Sequence, residues 1–272
     1  MYPSRVTTRG GDVLRWTLER ARRRLPKPPA QPIRGIEPDL ALLHANRTQP
    51  TYTWIGHSSA LLQMAGANLL LDPVFSRTAS PFRYLGPRRH QPPGLTPAQL
   101  PHIEALDWDA STTMAVGQGS IALHFLPVQH WSNRTGFDRN ASLWGSWALV
   151  HDRFRFWYSG DLGYSHEPQR IGEQFGFFDA AAIAIGAYEP RWFMRSQHVN
   201  PDEAVQVMLD VGAKQAIGVH WGTFSLTDEP LDQPPRDLAQ ALEARGIPRE
   251  RFVVLKHGET MRFLAGDNRT HP

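Results

Sequence analysis

Apolar and polar positions follow two rhythms along this chain. A period of two predicts strands: Thr53–Gln63 and Asn68–Leu71, parted by Gly66, form a hairpin pattern. Ile121, Leu123 and Phe125 alternate with Ala122 and His124 until Pro127 stops the run. Ser146–Val150 and Phe154–Tyr158, parted by His151 and Asp152, predict a second hairpin. Ala180–Ile185 is apolar throughout and predicts a buried strand, Gln215–Val219 another, and Phe252–Leu255 with Thr260–Phe263 a closing hairpin. Helical signals lie between them. Asn200 caps a helix with Pro201 at its first position and Glu203 in its first turn, and Gly212 ends it. Pro235 opens a second helix with an apolar face of Leu238, Ala241 and Leu242, closed by Gly246. Hairpins interleaved with αβ units predict an α/β fold with mixed sheets.

The head of the chain reads differently. Leu14, Leu18, Ala21 and Leu25 recur at helical spacing, with Trp16 beside them and arginines between, before Pro26, Pro28, Pro29 and Pro32 break the pattern. The expected divisions are a basic amphipathic tail and linker over 1–34, a main domain over 35–265 and a short tail over 266–272. Residues 1–34 carry nine basic side chains against Asp12 and Glu19, or +7, so the remaining residues sum to −4 within the overall +3. A nucleic-acid partner for the whole protein is therefore not expected. The head suits either an anionic membrane surface or packing on its own domain. No stretch reaches the roughly 18 apolar residues of a membrane span, and the expected location is the cytoplasm or its membrane face. Cysteine is absent, which excludes disulfides, thiol nucleophiles and Cys-based metal sites.

Three polar groups stand just past apolar strands: His130 after Ile121–Val128, Asp161 after Phe154–Tyr158, and His220 after Gln215–Val219. Strand tips feeding loops are where a rigid scaffold presents binding groups, and His and Asp are ligand types for zinc. Each alone also fits a strand-end cap.

The surrounding text resembles one branch of the metallo-β-lactamase fold, the N-acyl-phosphatidylethanolamine phospholipase D branch. The resemblance rests on Trp54–Ser59, Leu71–Phe75, Ser80–Phe82, Pro127–Trp131, Leu143–Trp147, Ser159–Tyr164, Gly186–Met194, Gln197–Ala204 and His220–Phe224. It implies a four-layer αββα sandwich with a two-zinc site. By that resemblance His130 ligates the first metal, Asp161 bridges both, and His220 ligates the second. His198, with Gln197 beside it, matches a position that polarises the substrate phosphate. The implied reaction is hydrolysis of a phosphodiester or lactone by metal-activated hydroxide, on a phospholipid-like or phosphorylated small molecule. Trp131, Trp144, Trp147, Trp192 and Trp221 are candidate walls of an acyl-chain pocket. A β-lactamase activity is not implied.

One departure matters. The branch carries a His-x-His-x-Asp-His run that supplies two ligands to each metal. Here Leu100–Ala105 runs directly into Leu106–Asp109; no two histidines stand two residues apart and no Asp-His pair occurs. A strand–loop–helix segment is missing after about Ala105. His130, Asp161 and His220 are too few to neutralise two close dications, so at most one zinc and an impaired hydrolase are expected. His57, His102, Asp107 and Asp109 are candidates to stand in. The loss predicts an open strand edge beside the site. The alternative is a non-catalytic relative that binds anionic lipid or a protein partner.

Overall fold

The computed structural model describes residues 10–23, 25–26, 28–29, 33–79, 86–101, 111–116, 119–132 and 144–263. Two sheets face each other. The smaller has strand order β11-β1-β2-β3, all antiparallel, from Thr260–Arg262, Thr51–Gly56, Ser59–Met64 and Ala67–Leu71. The larger has order β10-β9-β8-β7-β6-β5-β4, from Phe252–Val254, Ala213–Val219, Phe178–Ala184, Phe154–Tyr158, Ser146–His151, Gly119–Leu126 and Ser111–Val116. Its β4–β7 half is antiparallel and its β7–β10 half parallel.

Alternation decides which side chains meet. Tyr52 and Trp54 of β1 and Ala60, Leu62 and Met64 of β2 point into the space between the sheets, where Tyr52 stacks on Phe156 of β7 at 5.7 Å. Ile55 and Leu61 point the other way, onto Leu95 and Leu43 of helix α2 (Leu40–Ala45). Helices α3 (Glu167–Phe175), α5 (Pro201–Asp210) and α6 (Pro234–Ala244) cover the outer face of the larger sheet. The result is the expected αββα order of layers. Helix α5 begins as its sequence implied: the Asn200 side chain accepts from Glu203 N, and Glu203 reaches back to Asn200 N.

Three expectations need correction. Thr53–Gln63 is not one strand; the chain turns at Gly56 and His57 (φ 130° and 57°), which divides it into β1 and β2. Phe252–Leu255 and Thr260–Phe263 do not pair with each other. β10 extends the larger sheet in parallel beside β9, while β11 crosses to β1 in the smaller one. Strand β4 was not expected, because Ser111, Thr112 and Thr113 give it little apolar signal.

The head forms helix α1 (Gly10–Arg22) and docks on the main domain. Trp16 stacks on Phe193 at 5.1 Å, and Arg20 donates to the Leu226 carbonyl at 3.1 Å and pairs with Asp228 at 3.6 Å. The apolar stripe faces outward, with Leu14 62%, Leu18 49% and Val13 45% exposed. Among the described residues, no helix is long and apolar enough to cross a membrane.

Candidate metal centre

Topology brings the three strand-tip residues together. β5, β7 and β9 run in the same direction within the larger sheet, so their C-terminal ends open on one edge. His130, Asp161 and His220 follow those ends. The fourth residue, His198, arrives from the turn between α4 (Arg191–Met194) and α5.

Asp161 sits at the middle. Its Oδ1 lies 3.3 Å from His220 Nε2 and its Oδ2 3.7 Å from His130 Nε2. His198 rings the same space, 5.1 Å by ring centroid from both His130 and His220. His130, Asp161 and His198 each offer a ligand atom, all within 4.8 Å of one another. Among the described residues this is the one group of its kind. The resemblance implied His220 as a ligand and His198 as substrate-facing; here His198 stands with His130 and Asp161, and His220 lies at Asp161 Oδ1.

The donor chemistry fits a cation. His130 Nδ1 donates to the Gln197 carbonyl at 3.1 Å, which leaves the Nε2 lone pair facing the Asp161 carboxylate. Two acceptors pointed at each other repel unless a proton or metal ion stands between them. Burial lowers the His130 and His198 pKa values, against the pull of Asp161, so both rings favour the neutral, ligating form. Asp161 behaves oppositely. Burial disfavours its charge, but His220, His130 and His198 outweigh that and hold it well below the usual carboxylate range. Burial likewise opposes charge on His220, and Asp161 overcomes it and raises that pKa. Among the described residues the buried His198 Nδ1 atom has no hydrogen-bond partner. The two imidazoles of His130 and His198 with the Asp161 carboxylate suit a single divalent ion, since a catalytic zinc commonly takes three protein ligands.

The surrounding residues hold these rings in place. Gln197 is buried, and its amide is consumed internally: Oε1 accepts from Trp131 Nε1 at 2.6 Å and Nε2 donates to Phe193 O at 3.2 Å. It reaches the site through His130, not through a free amide. Arg191 donates to the His198 carbonyl at 2.9 Å while pairing with Glu203 at 2.7 Å. Gly163 lies so close to the turn before His198 that a Cβ would stand 2.5 Å from Ser196 O, and its N–H donates to Gln129 O at 2.7 Å. A side chain there would push apart the segments bearing Asp161, His130 and His198.

Sequence reasoning only partly anticipated two neighbours. His57 lies 4.1 Å from His220 by ring centroid. Its carbonyl accepts from His220 N at 3.0 Å, so the unusual turn at Gly56–His57 joins β1 to the site. Asp72, at the end of β3, takes a left-handed backbone (φ 35°) and accepts from Tyr158 Oη at 2.6 Å. The Gly56-His57 and Leu71-Asp72-Pro73 words carried no geometric signal for either contact. His102, Asp107 and Asp109, the other candidate stand-ins, lie outside the described residues, as do Ser80–Phe82, Leu143 and the 266–272 tail. Of the tryptophans, Trp221 is buried against Trp54 at 5.2 Å, Trp144 donates to Val128 O, Trp147 packs on Phe125, and Trp192 is 42% exposed.

Residues 98–221 match the β-lactamase superfamily domain. The chain is 33% identical to "N-acyl-phosphatidylethanolamine-hydrolyzing phospholipase D 1" of Caenorhabditis elegans, over 76% of this chain and 74% of that one. The chain belongs to the metallo-β-lactamase superfamily of metal-dependent hydrolases. It is also 29% identical to the mitochondrial N-acyl-phosphatidylethanolamine-hydrolyzing phospholipase D of Saccharomyces cerevisiae, over 79% of this chain and 56% of that one. The same superfamily fold appears in the isothiocyanate hydrolase from Delia radicum gut bacteria, with a TM-score of 0.57 at 13% identity, covering 79% of this chain and all of that one. The nematode match extends over 263 positions, whereas 76% of 272 residues is about 207. Some 56 aligned positions therefore fall opposite gaps in this chain.

Proposed function

We propose that this chain is a zinc-dependent phosphodiester hydrolase acting on phospholipid-like substrates, slowed by working with one ion where two would be served by the missing segment. The observation that carries the reading is the convergence of His130, Asp161 and His198 with a lone pair and a carboxylate facing each other. A divalent ion held there would lower the pKa of a nearby water and offset charge on a phosphoryl oxygen. Gln197 and Arg191 keep the imidazoles of His130 and His198 oriented. His220, at Asp161 Oδ1, is placed to hydrogen-bond a phosphoryl oxygen or hand a proton to the leaving alkoxide. The relatives named as phospholipases support the substrate class.

The partner surface in this reading is an anionic membrane. Val13, Leu14 and Leu18 form an exposed apolar ridge on α1, flanked by Arg15, Arg22 and Arg23. Such a face binds through buried apolar area plus attraction to anionic headgroups. Leu14→Asp with Leu18→Asp should abolish sedimentation with phosphatidylserine vesicles, and added salt should weaken binding of the unaltered chain.

The missing ligand run favours a second reading, a lipid-binding relative without turnover. Purified full-length chain incubated with zinc, then with bis(p-nitrophenyl) phosphate and with N-acyl-phosphatidylethanolamine vesicles, separates the two. The expected result is slow hydrolysis that stops on chelation, returns with zinc and is absent in Asp161→Asn. Vesicle binding with no zinc-dependent hydrolysis of either substrate would overturn the enzymatic reading.

A further inference from the structure

Helix α1 touches the element from which His198 hangs. Its inward face is Asp12, Trp16, Glu19 and Arg20, spaced three or four apart. Trp16 stacks on Phe193 of α4 at 5.1 Å, and the Arg15 guanidinium lies 4.2 Å over the ring of Trp192, the residue before it. Arg20 fastens a second point, the Leu226 carbonyl and Asp228. That loop in turn holds the chain just ahead of α4: Asp228 N donates to Glu189 O at 3.1 Å, and the Glu229 carboxylate accepts from Ala187 N and Glu189 N. Helix α1 therefore grips α4 directly and the approach to it indirectly.

From α4 the contacts lead straight to the metal centre. His198 N and Gln197 N both donate to Met194 O, the last residue of α4. Gln197 Nε2 donates to Phe193 O, and the Gln197 carbonyl fixes the His130 ring through Nδ1. A four-residue helix has too few internal hydrogen bonds to hold its own place, so packing from outside sets where it sits.

We propose that helix α1 is a positioning strap for the metal centre: by clamping α4 through Trp16 and Arg15 it fixes the turn that presents His198 and, through Gln197, the orientation of His130. The idea rests on the reading that these residues hold an ion, and it adds regulation to that site. A surface that draws α1 away loosens the ligands, and one that binds its outward ridge while it stays docked leaves them set. Trp16 is a positioning residue, since it touches neither ligand.

The test uses the full chain carrying Trp16→Ala, with Trp16→Phe as the conservative variant and Arg20→Ala as a second break. Two quantities are read: zinc affinity by competition with a chromophoric chelator, and amide exchange of residues 194–199. For Trp16→Ala the expected result is zinc binding weaker by about tenfold, the low end of what supporting residues around a metal contribute. Exchange of the His198 amide should be faster by about tenfold as local opening becomes easier, while the melting temperature of the main domain stays unchanged. Trp16→Phe should restore both, because it keeps an aromatic face for Phe193. Arg20→Ala should shift both in the same direction by less. Unchanged zinc affinity together with unchanged exchange over 194–199 in Trp16→Ala would overturn the strap. If the unaltered chain binds no zinc, the metal reading fails, and the exchange measurement alone still decides whether α1 positions the turn.

Discussion

At the scale of single residues, the fold suppresses charge on His130 and His198 and keeps it on Asp161, while Asp161 favours charge on His220. In the proposed reading His198 holds the ion and His220 moves a proton, and the two roles can be separated. His198→Ala should remove the ion altogether, whereas His220→Ala should retain most of it and lower kcat by about 100-fold, the scale of a lost acid–base group; metal content and turnover measured on both variants check the assignment. Retention of full zinc by His198→Ala would return it to the substrate-facing role first expected. Protonation gives a second prediction. Burial lowers the pKa values of His57, His130, His198 and His257, the last to about 4, with Arg89 adding to the effect on His257. In the unfolded chain these groups take up protons near 6.5, so falling pH favours unfolding through the window between the unfolded and native values. His220 acts in the other sense: its raised pKa gives stability that is full below 6.5 and is lost as pH rises through the native value. With four such groups against one, the metal-free protein should melt at a lower temperature at pH 5 than at pH 7, and His257→Gln should flatten the difference. A melting temperature that is flat or higher at pH 5 contradicts this account. His130, Asp161 and His220 were legible because strand patterns end just before each. The turn at His57 was not legible, since nothing in an alternating run marks where a left-handed residue interrupts it.

At the scale of elements, the site depends on close backbone approach and on a well-capped helix. Gly163→Ala sets a Cβ against Ser196 O at 2.5 Å. It should cost about 1–3 kcal/mol, the usual range for overpacking, with zinc affinity falling as the 196–198 turn is displaced. Asn200→Ala removes the cap of α5 and should cost about 1 kcal/mol. A chemical denaturation series reads both, and a neutral Gly163→Ala would show that the three segments are not held together at that point. Capped helices were the most legible elements, because Asn200, Pro201, Glu203 and Gly212 each act locally. The pairing of β10 and β11 was not, since adjacent apolar runs look like a hairpin whether they join one sheet or two. Strand β4 escaped notice because its first half, Ser111–Thr113, is polar, and its pairing with β5 is what makes it a strand.

At the scale of the molecule, the chain keeps the two-sheet scaffold of its superfamily, and its sequence carries no His-x-His-x-Asp-His run. The smaller sheet ends at β3, which pairs only with β2 among the described residues. In the larger sheet the edge formed by β5, β7 and β9 delivers three groups, and the turn after α4 adds His198. Sequence comparison alone could mark the loss but not its consequence. Only the geometry brings His198 within ligand distance of Asp161 and leaves a compact group suited to a single ion. The most direct measurement is metal content per chain, by elemental analysis of the full-length protein after zinc loading and removal of loosely bound ions. One zinc per chain, absent from Asp161→Asn, is the predicted result; two zincs, or none, would contradict the account.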